Sequence, residues 1–546
     1  MFFRTKKVRN YEYLQIVESY RENGKMRQRV MVTLGSYQHW KDSGKLDSLL
    51  ASGARLSEKL ALISEHQAGK SKPVSCKSIG PDLIFGRIWN ELGIGDIIRE
   101  CVQGRRFGFD IERAVYRTVM HRIFESGSDR ASLRWDDDFK LQDAEDFELH
   151  HLYRAMGFLG SPLKNQKGAM KFAPRCIKDM VEEKLFDSRR DLFSNLSMVF
   201  FDTTSIYFEG EGGETFGEYG YSKDHRPDRR QMIVGVVIDG AGMPLCCEMW
   251  PGNTSDVSTI KEVVKRFQDC FGIREVCIVA DRGMISGGMI EFLESRECSF
   301  SYILGVRLRK VKDVREEILA GSGDYQEIKR ANPKHEPLKV REVEINARRY
   351  VVCLNEKQAR KDAHDRELII SSLQEQLKAG DKSLVGNKGY RKFLKISGKN
   401  HFQVDEDKIR QEASFDGKWV LTTNTSLSAS ELALQYKQLW MVENVFRTMK
   451  SGLDTRPVFH RLDRTIRGHV FSSFLAILLR HELERRLAGK GYDFEWNDIL
   501  RDLASVKDVT AEISGKSVIF RSEMKGCAGK VFQAAGVAVP SAIRFA

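Results

Sequence analysis

Two short apolar segments that each end at an aspartate constrain the fold more than any other feature of this sequence. Residues 198–201 lead into Asp202, and residues 276–280 lead into Asp281. Apolar runs of this length, rich in Val, Ile and Phe, are typical of strands buried on both faces of an α/β sheet. Side chains at the ends of such strands leave the core and can meet a ligand. The sequence therefore predicts an α/β core with two carboxylates at strand ends.

The chemistry of this pair of aspartates stays open on these two residues alone. Two carboxylates in one place could share a divalent cation, because ligand sets made only of oxygen suit magnesium or manganese. Each aspartate could equally end its strand or cap a turn.

A third acid, Glu443, lies in a segment that is predicted to form one long helix, residues 430–450. Tyr436, Glu443 and Lys450 follow one another at intervals of seven residues, and such positions return within about 20° on a helix. A carboxylate on an otherwise apolar stripe is unusual, because burying it without a partner is costly. The alternative is a surface pair between Glu443 and Arg447, worth a few tenths of a kcal/mol.

Length and composition indicate a soluble protein of several domains. At about 150 residues per domain, 546 residues suggest three or four units. None of the ten cysteines forms a Cys-x-x-Cys pair, so no zinc site or disulfide framework is expected. The N-terminus does not resemble a signal peptide, and the longest apolar run, residues 470–479, is far shorter than the roughly 20 residues of a membrane span. We expect a cytoplasmic protein without a membrane partner.

The positive charge is concentrated in two places. The formal net charge is +12. Residues 1–45 carry ten Lys or Arg and four Asp or Glu, and residues 436–490 carry eleven and five, so each segment contributes +6. Two basic zones favour a protein that binds the phosphates of a nucleic acid at two surfaces.

The pattern of apolar and turn residues divides the chain into six predicted regions, with a polar linker at residues 70–77. An Asn-Gly turn between two alternating segments predicts a β-hairpin near the N-terminus, and its basic return strand is a candidate DNA contact. The regions are an N-terminal β and DNA-binding region at 1–70, a helical domain at 78–195, the first part of the α/β core at 196–309, a β-rich insertion at 310–415, the second part of the core at 416–484, and a C-terminal helical region at 485–546.

The helix around Glu443 resembles the signature of a large group of bacterial insertion-sequence DDE transposases, Tyr-x2-Arg-x3-Glu-x6-Lys. Tyr436, Glu443 and Lys450 match the signature, and Leu439 stands where the family has arginine. The resemblance covers roughly 196–484, and the N-terminal hairpin is similar too. Further segments that resemble the family are residues 201–205, 220–228, 251–254, 280–284, 458–460 and 466–469.

The resemblance implies a ribonuclease-H-like core, interrupted by a mainly β insertion and flanked by helical domains and the N-terminal hairpin. It implies that Asp202, Asp281 and Glu443 hold two Mg²⁺ (or Mn²⁺) ions for in-line phosphoryl transfer. Water first frees a 3′-hydroxyl at the end of the element, and that hydroxyl then attacks target DNA. The implied partners are double-stranded DNA, as terminal repeats and as target, and a second copy of the chain in a homodimer, within the bacterial nucleoid.

The resemblance also implies a set of DNA contacts. Tyr436 and Lys450 would hold a terminal phosphate; Lys437 or Arg447 could replace the guanidinium that Leu439 lacks. A basic loop would contact the DNA backbone, although a solvated loop is the alternative; its residues are Lys223, Arg226, Arg229 and Arg230. Trp419 and Trp440 are candidates to stack on a flipped base. Two rival functions remain: a ribonuclease-H-like nuclease that cuts without joining, and a domesticated protein that only binds DNA.

Overall fold

The structure is a computed structural model of the 546-residue chain. It describes residues 2–22, 25–54, 71–144, 146–169, 174–189, 197–295, 298, 300–309, 316, 324–328, 337–379, 392–397, 401–513 and 516–545. Helices and strands alternate along most of the chain, and a nine-stranded mixed sheet forms its centre.

The N-terminal region is a three-stranded antiparallel sheet followed by two short helices. Its elements are β1 (Phe2–Val8), β2 (Tyr11–Glu22), β3 (Lys25–Ser36), α1 (Tyr37–Asp42) and α2 (Lys45–Ala54). Glu22 pairs with Lys25, so the predicted hairpin is confirmed, and its turn at residues 23–24 lies outside the described residues. The basic residues of β3 are exposed, and two of them pair with acids across the strand, Arg27 with Glu22 and Arg29 with Glu18.

The predicted linker at 70–77 is wrong for its described part, because β4 (Ser71–Ser78) is a strand. It pairs antiparallel with Lys507–Ile513 near the C-terminus, and Pro73 lies where the register shifts. The polar, proline-containing composition that suggested a linker is compatible with this place, because β4 is an edge strand and an edge tolerates proline.

The next region is helical, as predicted, in its described part. It contains α3 (Gly80–Glu91), α4 (Ile94–Val102), α5 (Ile111–Phe124), α6 (Trp135–Asp138), α7 (Leu149–Leu159) and α8 (Ile177–Arg189). The side chain of Asp110 caps α5 by accepting a hydrogen bond from the backbone N–H of Arg113. These helices share one continuous apolar core with a face of the central sheet.

The central sheet begins with β5 (Met198–Tyr207), β6 (Gln231–Asp239) and β7 (Pro244–Pro251), which are antiparallel neighbours. After α9 (Asp256–Asp269), β8 (Cys277–Ala280) pairs parallel with β5. After α10 (Gly287–Glu294), β9 (Ser301–Val306) pairs parallel with β8. The first of these strands differs from the prediction, because β5 continues through Asp202 to Tyr207, so Asp202 lies within the strand and not at its end.

The region 310–415 extends this sheet by three strands and also forms a separate two-stranded sheet. Its described elements are β10 (Gln326–Ile328), β11 (Leu338–Ile345), β12 (Arg348–Leu354), the 24-residue α11 (Glu356–Ala379), β13 (Leu394–Ser397), β14 (His401–Val404) and α12 (Glu406–Ala413). Strands β10, β11 and β12 extend the central sheet, and β13 and β14 form the separate one. Strand β15 (Lys418–Thr423) lies between β12 and β9 and joins the two parts, so the full order is β10-β11-β12-β15-β9-β8-β5-β6-β7.

The remaining chain supplies α13 (Ala429–Lys437), α14 (Trp440–Arg447), a π-helical turn (Thr448–Gly452), α15 (Asp463–Gly489), α16 (Trp496–Ala504), β16 (Lys507–Ile513), β17 (Lys516–Arg521), α17 (Ala528–Ala535) and β18 (Ile543–Phe545). The C-terminal region is therefore mixed, and the prediction of helices alone there is corrected. Its strands are half exposed and polar on one side, which weakened their signal in the sequence.

The predicted helix at 430–450 is divided into α13 and α14. The backbone N–H groups of Gln438 and Leu439 donate to the carbonyls of Gln435 and Tyr436, which tightens the turn between the two helices. Helix α15 contains the apolar run at residues 470–479, all of which are buried. In the described part of the chain no helix combines the length and the apolar character that a bilayer span requires.

Candidate active site beside strands β5 and β8

Asp202 and Asp281 come together because β5 and β8 are parallel neighbours in register. Phe201 pairs with Ala280, so the two aspartates follow at the same level of adjacent strands. Side chains alternate along a strand, and Phe200 and Val279, two positions before the aspartates, pack on the same face of the sheet. Both carboxylates therefore point to that face, which we call the α15 face. The structure therefore brings the two predicted carboxylates together.

Tyr436 of α13 binds one member of this pair, Asp281. Its hydroxyl donates a hydrogen bond of 2.7 Å to Asp281 Oδ1. Gly305 of β9 leaves the space for it, since a Cβ there would overlap the Tyr436 hydroxyl and come within 2.9 Å of the backbone nitrogen of Arg282. Burial raises the pKa of Tyr436 well above its ordinary value, and the neighbouring Asp281 raises it further. Tyr436 is therefore a hydrogen-bond donor over the whole physiological range.

The carboxylate of Asp202 is crowded by charge of its own sign. Burial raises the pKa of Asp202 to about 6, and the carboxylates of Asp281 and Asp256 add to this effect. The Lys223 ammonium and a 2.7 Å hydrogen bond from the backbone N–H of Thr203 oppose it. A cation bound next to this carboxylate would stabilise its ionised form.

Two further acids, Asp256 and Asp224, lie at the site and were missed in the sequence. Asp256 Oδ1 accepts a 2.6 Å hydrogen bond from Thr203 Oγ1, and Asp224 Oδ1 accepts a 2.8 Å bond from Lys450 Nζ. Asp256 is the first residue of α9, and nothing in the sequence indicated that α9 starts beside β5. Asp224 lies in the loop that was predicted to be basic.

Lys450 contacts the acid of that loop instead of pointing freely into the site. Its side chain is 11% exposed, and Arg456 lies 3.5 Å from the same Asp224 oxygen. Burial lowers the pKa of Lys450, and the bond to Asp224 partly restores it. The loop therefore brings Lys450 close to the residues that follow Asp202.

Glu443 stands apart from the two aspartates in the structure. It is exposed on α14, a helix that packs over β5 and β6 through Val442, Val445 and Phe446. The carboxylate atoms of Asp202, Asp281 and Glu443 do not all lie within 4.8 Å of one another in the described chain. The backbone N–H of Glu443 donates to the carbonyl of Leu439, but the Glu443 side chain has no hydrogen bond or ion pair among the described residues, so the predicted alternative, a pair with Arg447, does not form there.

The position of the missing arginine is buried. Leu439 is 8% exposed and belongs to the apolar core. Arg447, a candidate replacement, is exposed, and its side chain has no hydrogen bond or ion pair within the part of the chain that the structure describes. The other candidate, Lys437, lies with its ammonium 5.5 Å from the centre of the Trp419 ring.

The predicted basic loop is largely neutralised by acids of its own. Arg226 pairs with Asp228 at 2.9 Å, Arg229 with Glu209 at 2.8 Å, and Arg230 with Glu211 at 2.9 Å. Lys223 is bound inside the site, where its Nζ donates to the backbone oxygen and to Oγ1 of Thr203, each at 2.8 Å. The loop is therefore a less basic surface than its sequence suggested.

A cavity of about 910 Å³ opens beside Asp281 and Tyr436. It lies between the core and α11, and the ring of Trp419 forms part of its wall. Trp440 lies outside it and is 57% exposed. Of the two tryptophans that the sequence offered for base stacking, only Trp419 lines the cavity next to the site.

The fold and this site together define a class of protein: an α/β enzyme whose aspartates meet beside the central parallel strands, with a tyrosine and lysines around them. Comparisons with known proteins assign the family. The Transposase DDE domain family matches residues 194–479, just over half of the chain, and the IS1634 family transposase N-terminal domain matches residues 3–66. The chain belongs to the DDE transposase family and is an insertion-sequence DNA transposase, an enzyme that cleaves and joins DNA.

Two other comparisons add little. A solved structure, the cryo-EM structure of the piggyBac transposase synaptic complex with hairpin DNA, is 13% identical, with a TM-score of 0.34, over 78% of this chain and 79% of that chain. A likeness of this size does not define the fold. None of the curated proteins matches.

Proposed function

We propose that Asp202, Asp281 and Glu443 are the metal-binding acids of this transposase, within a ribonuclease-H-like core. The observation that carries the proposal is the meeting of Asp202 and Asp281 on one face of two parallel strands that are 79 residues apart in the chain. Strands β7, β6 and β5 run antiparallel and β8 and β9 run parallel to β5, with helices on both faces, and this arrangement supports such a core.

The residues fit a divalent cation. Their donors are carboxylate oxygens only, which suits Mg²⁺ or Mn²⁺. In the described chain Lys223 is the one cation in hydrogen-bond contact with Asp202, Asp281, Asp256 or Thr203, so the negative charge exceeds the positive charge that contacts it. Two such ions would activate the attacking oxygen and stabilise the leaving one.

The position of α14 supports Glu443 as the third acid. Tyr436, seven residues before Glu443, binds Asp281, and Lys450, seven residues after it, binds Asp224 of the loop beside β5. Helix α14 packs on the α15 face, to which both aspartates point. The exposed Glu443 side chain makes no hydrogen bond among the described residues, so a move toward the aspartates would break none.

The chain's own groups account for the rest of the chemistry. Tyr436 and Lys450 would bind the terminal phosphate, which would replace Asp281 and Asp224 as their partners. Water frees the 3′-hydroxyl of the element end, and that hydroxyl attacks target DNA at the same acids, so no nucleophilic side chain is required. We place the protein on the bacterial nucleoid as a homodimer across paired ends, with residues 1–70 as a DNA-binding region; the other predicted domain boundaries also remain proposals.

Cleavage and joining of DNA that carries the flanking terminal repeats test the proposal. Wild type should cut and join with Mg²⁺ or Mn²⁺, and Glu443→Gln should lose both activities by about 10²–10³-fold, as expected when one charge-stabilising group is removed. Glu431→Gln on α13 is a matched control, because that acid only caps its helix by bonding Ser428. Equal activity of Glu443→Gln and wild type would contradict the assignment of the third acid.

A further inference from the structure

Asp256 touches both chain segments that carry the paired aspartates. Its Oδ1 accepts the hydrogen bond from Thr203, the residue after Asp202. Its Oδ2 borders Gly283, two residues after Asp281, since a Cβ on that glycine would lie 3.4 Å from it. One carboxylate at the start of α9 therefore lies between the two segments.

Asp256 approaches the site from behind the sheet. Helix α9 packs against Phe201 and its neighbours, on the face opposite to α15. Thr203 has the same orientation as Phe201, because side chains alternate along β5, and Asp202 points the other way. Asp256 is therefore placed to hold the groups around Asp202 and not to share a ligand with its carboxylate.

The group that Asp256 holds is the ammonium of Lys223. That ammonium lies 3.3 Å from Asp256 Oδ2 and donates to Oγ1 and to the backbone oxygen of Thr203. The backbone N–H of Lys223 donates a 2.8 Å hydrogen bond to Ser205 Oγ, so both ends of the residue are fixed to β5. A flexible lysine is thereby held in one place beside Asp202.

We propose that Asp256 is a positioning residue of the transposition reaction, which holds Lys223 beside the metal-binding acids so that its ammonium meets a DNA phosphate oxygen. Lysine binds phosphate as a compact point charge on a flexible stem, so its effect depends on where the charge is held. The inference rests on the proposed function of Asp202 and Asp281 and adds a residue that acts through Lys223.

A second acid and lysine beside it provide a matched control. Asp224 follows Lys223 directly in the same loop, and its Oδ1 accepts a hydrogen bond of 2.8 Å from Lys450 Nζ. If each acid works through its own lysine, Asp256 couples to Lys223 and Asp224 couples to Lys450. Residues that act as a unit give strongly non-additive effects, whereas independent residues give multiplicative ones.

Double-mutant cycles of single-turnover DNA cleavage test this coupling. Asp256→Asn should lower the cleavage rate constant at saturating DNA and Mg²⁺ by about 10–100-fold, because a small misplacement of a charge costs up to about 10²-fold. Lys223→Gln should have a similar effect, and the double variant should be no slower than either single one. Asp256→Asn combined with Lys450→Gln should show the product of the two separate effects.

A second variant, at Thr203, tests the same coupling in case Asp256→Asn does not fold. Thr203→Val removes the hydroxyl that joins Asp256 to Lys223 and should lose activity to a similar extent, whereas Thr203→Ser keeps that hydroxyl and should retain activity. The Mg²⁺ concentration for half-maximal cleavage should stay unchanged in Asp256→Asn, since Asp256 is not a metal ligand.

Three results would overturn the proposal: a multiplicative effect of Asp256→Asn and Lys223→Gln, a raised Mg²⁺ requirement of Asp256→Asn like that of Asp202→Asn, or a lowered melting temperature with a normal rate constant. Failure of the proposed function is a different result, because wild type would then not cleave, or Glu443→Gln would cleave as well as wild type.

Discussion

Two clusters of acids lie against the central sheet, and their surroundings differ. Asp202, Asp281 and Asp256 lie beside β5 and β8, with Lys223 as the contacting cation. The second cluster is formed by Asp179, Glu182 and Glu248, whose carboxylate oxygens lie within 4.8 Å of one another between α8, β7 and α9.

The second cluster contains its own cations. Arg266 binds Asp179, Glu182 and Glu248, and Lys178 binds Asp179 and the backbone oxygen of Cys247. All of these side chains are buried. The neighbouring carboxylates raise the pKa of Lys178 and of Arg266 despite burial. Fixed cations make this cluster a structural ion-pair network, whereas Lys223 is the one cation in contact with the acids beside β5 in the described chain, which supports the metal site proposed there.

A third group, Asp129, His460 and His469, shows the same principle. Arg122 donates a 2.8 Å hydrogen bond to Nδ1 of His469, so this nitrogen is not free for a metal. Burial lowers the pKa of His469 well below its ordinary value, with Arg122 adding to the effect, and the ring is neutral. A cluster of acids and histidines thus indicates a metal site only where no arginine or lysine of the protein already binds the same oxygen or nitrogen atoms.

The largest difference between the first two clusters should appear in activity. Asp202→Asn or Asp281→Asn should reduce DNA cleavage by at least about 10³-fold, equivalent to about 4 kcal/mol of transition-state stabilisation. The free energy of unfolding should stay equal or rise, because one of two crowded carboxylates becomes neutral. Cleavage kinetics and urea unfolding of the same preparations measure both quantities, and an active Asp202→Asn protein would refute the comparison.

The buried cluster should show the reverse pattern. Arg266→Met leaves three buried carboxylates without their main partner and should lower the free energy of unfolding by about 3–5 kcal/mol. Cleavage per folded molecule should match wild type, since the cluster does not touch the site. Titration of active molecules together with denaturant unfolding checks this; a stable but inactive Arg266→Met protein would show that the second cluster takes part in catalysis.

The stability that the protein gains when metal is added distinguishes the two clusters without any measurement of activity. At a free Mg²⁺ or Mn²⁺ concentration of about 100 times the dissociation constant, wild type should gain about 2.7 kcal/mol of stability. Glu248→Gln should gain the same amount, whereas Asp281→Asn should gain little. Thermal unfolding with and without metal measures the shift, and an equal gain in Asp281→Asn would place the metal elsewhere.

The smallest effect is expected at Arg447, an exposed cation of α14. Arg447→Gln should leave stability within about 0.5 kcal/mol of wild type. If Arg447 binds one DNA phosphate in place of the arginine that Leu439 lacks, the slope of log affinity against log salt should fall by about 0.9. Arg410→Gln, another exposed arginine, is the control and should leave the slope unchanged; an unchanged slope in Arg447→Gln would remove Arg447 from the interface.

Much of the fold was predictable where one pattern dominated locally. The N-terminal hairpin, the helices before β5, and the strands at 231–239, 277–280 and 418–423 follow from alternating or continuous apolar residues. The strands at 71–78 and 507–513 were missed, because they are polar and pair with each other across more than 400 residues. The other C-terminal strands, 516–521 and 543–545, are short. Nothing in the local sequence indicated the tight turn at Gln438 that divides α13 from α14.

The sequence by itself determined the chemistry that is available: two aspartates after apolar runs, and a tyrosine, a glutamate and a lysine spaced seven residues apart on a predicted helical segment. Only the tertiary structure decided which groups meet. It joined Asp202 to Asp281 through a parallel pairing, brought Asp256 behind them and Lys223 beside Asp202, and left Glu443 exposed. The physical reason is that local propensity sets the elements, whereas long-range pairing and the burial of charge set their neighbours.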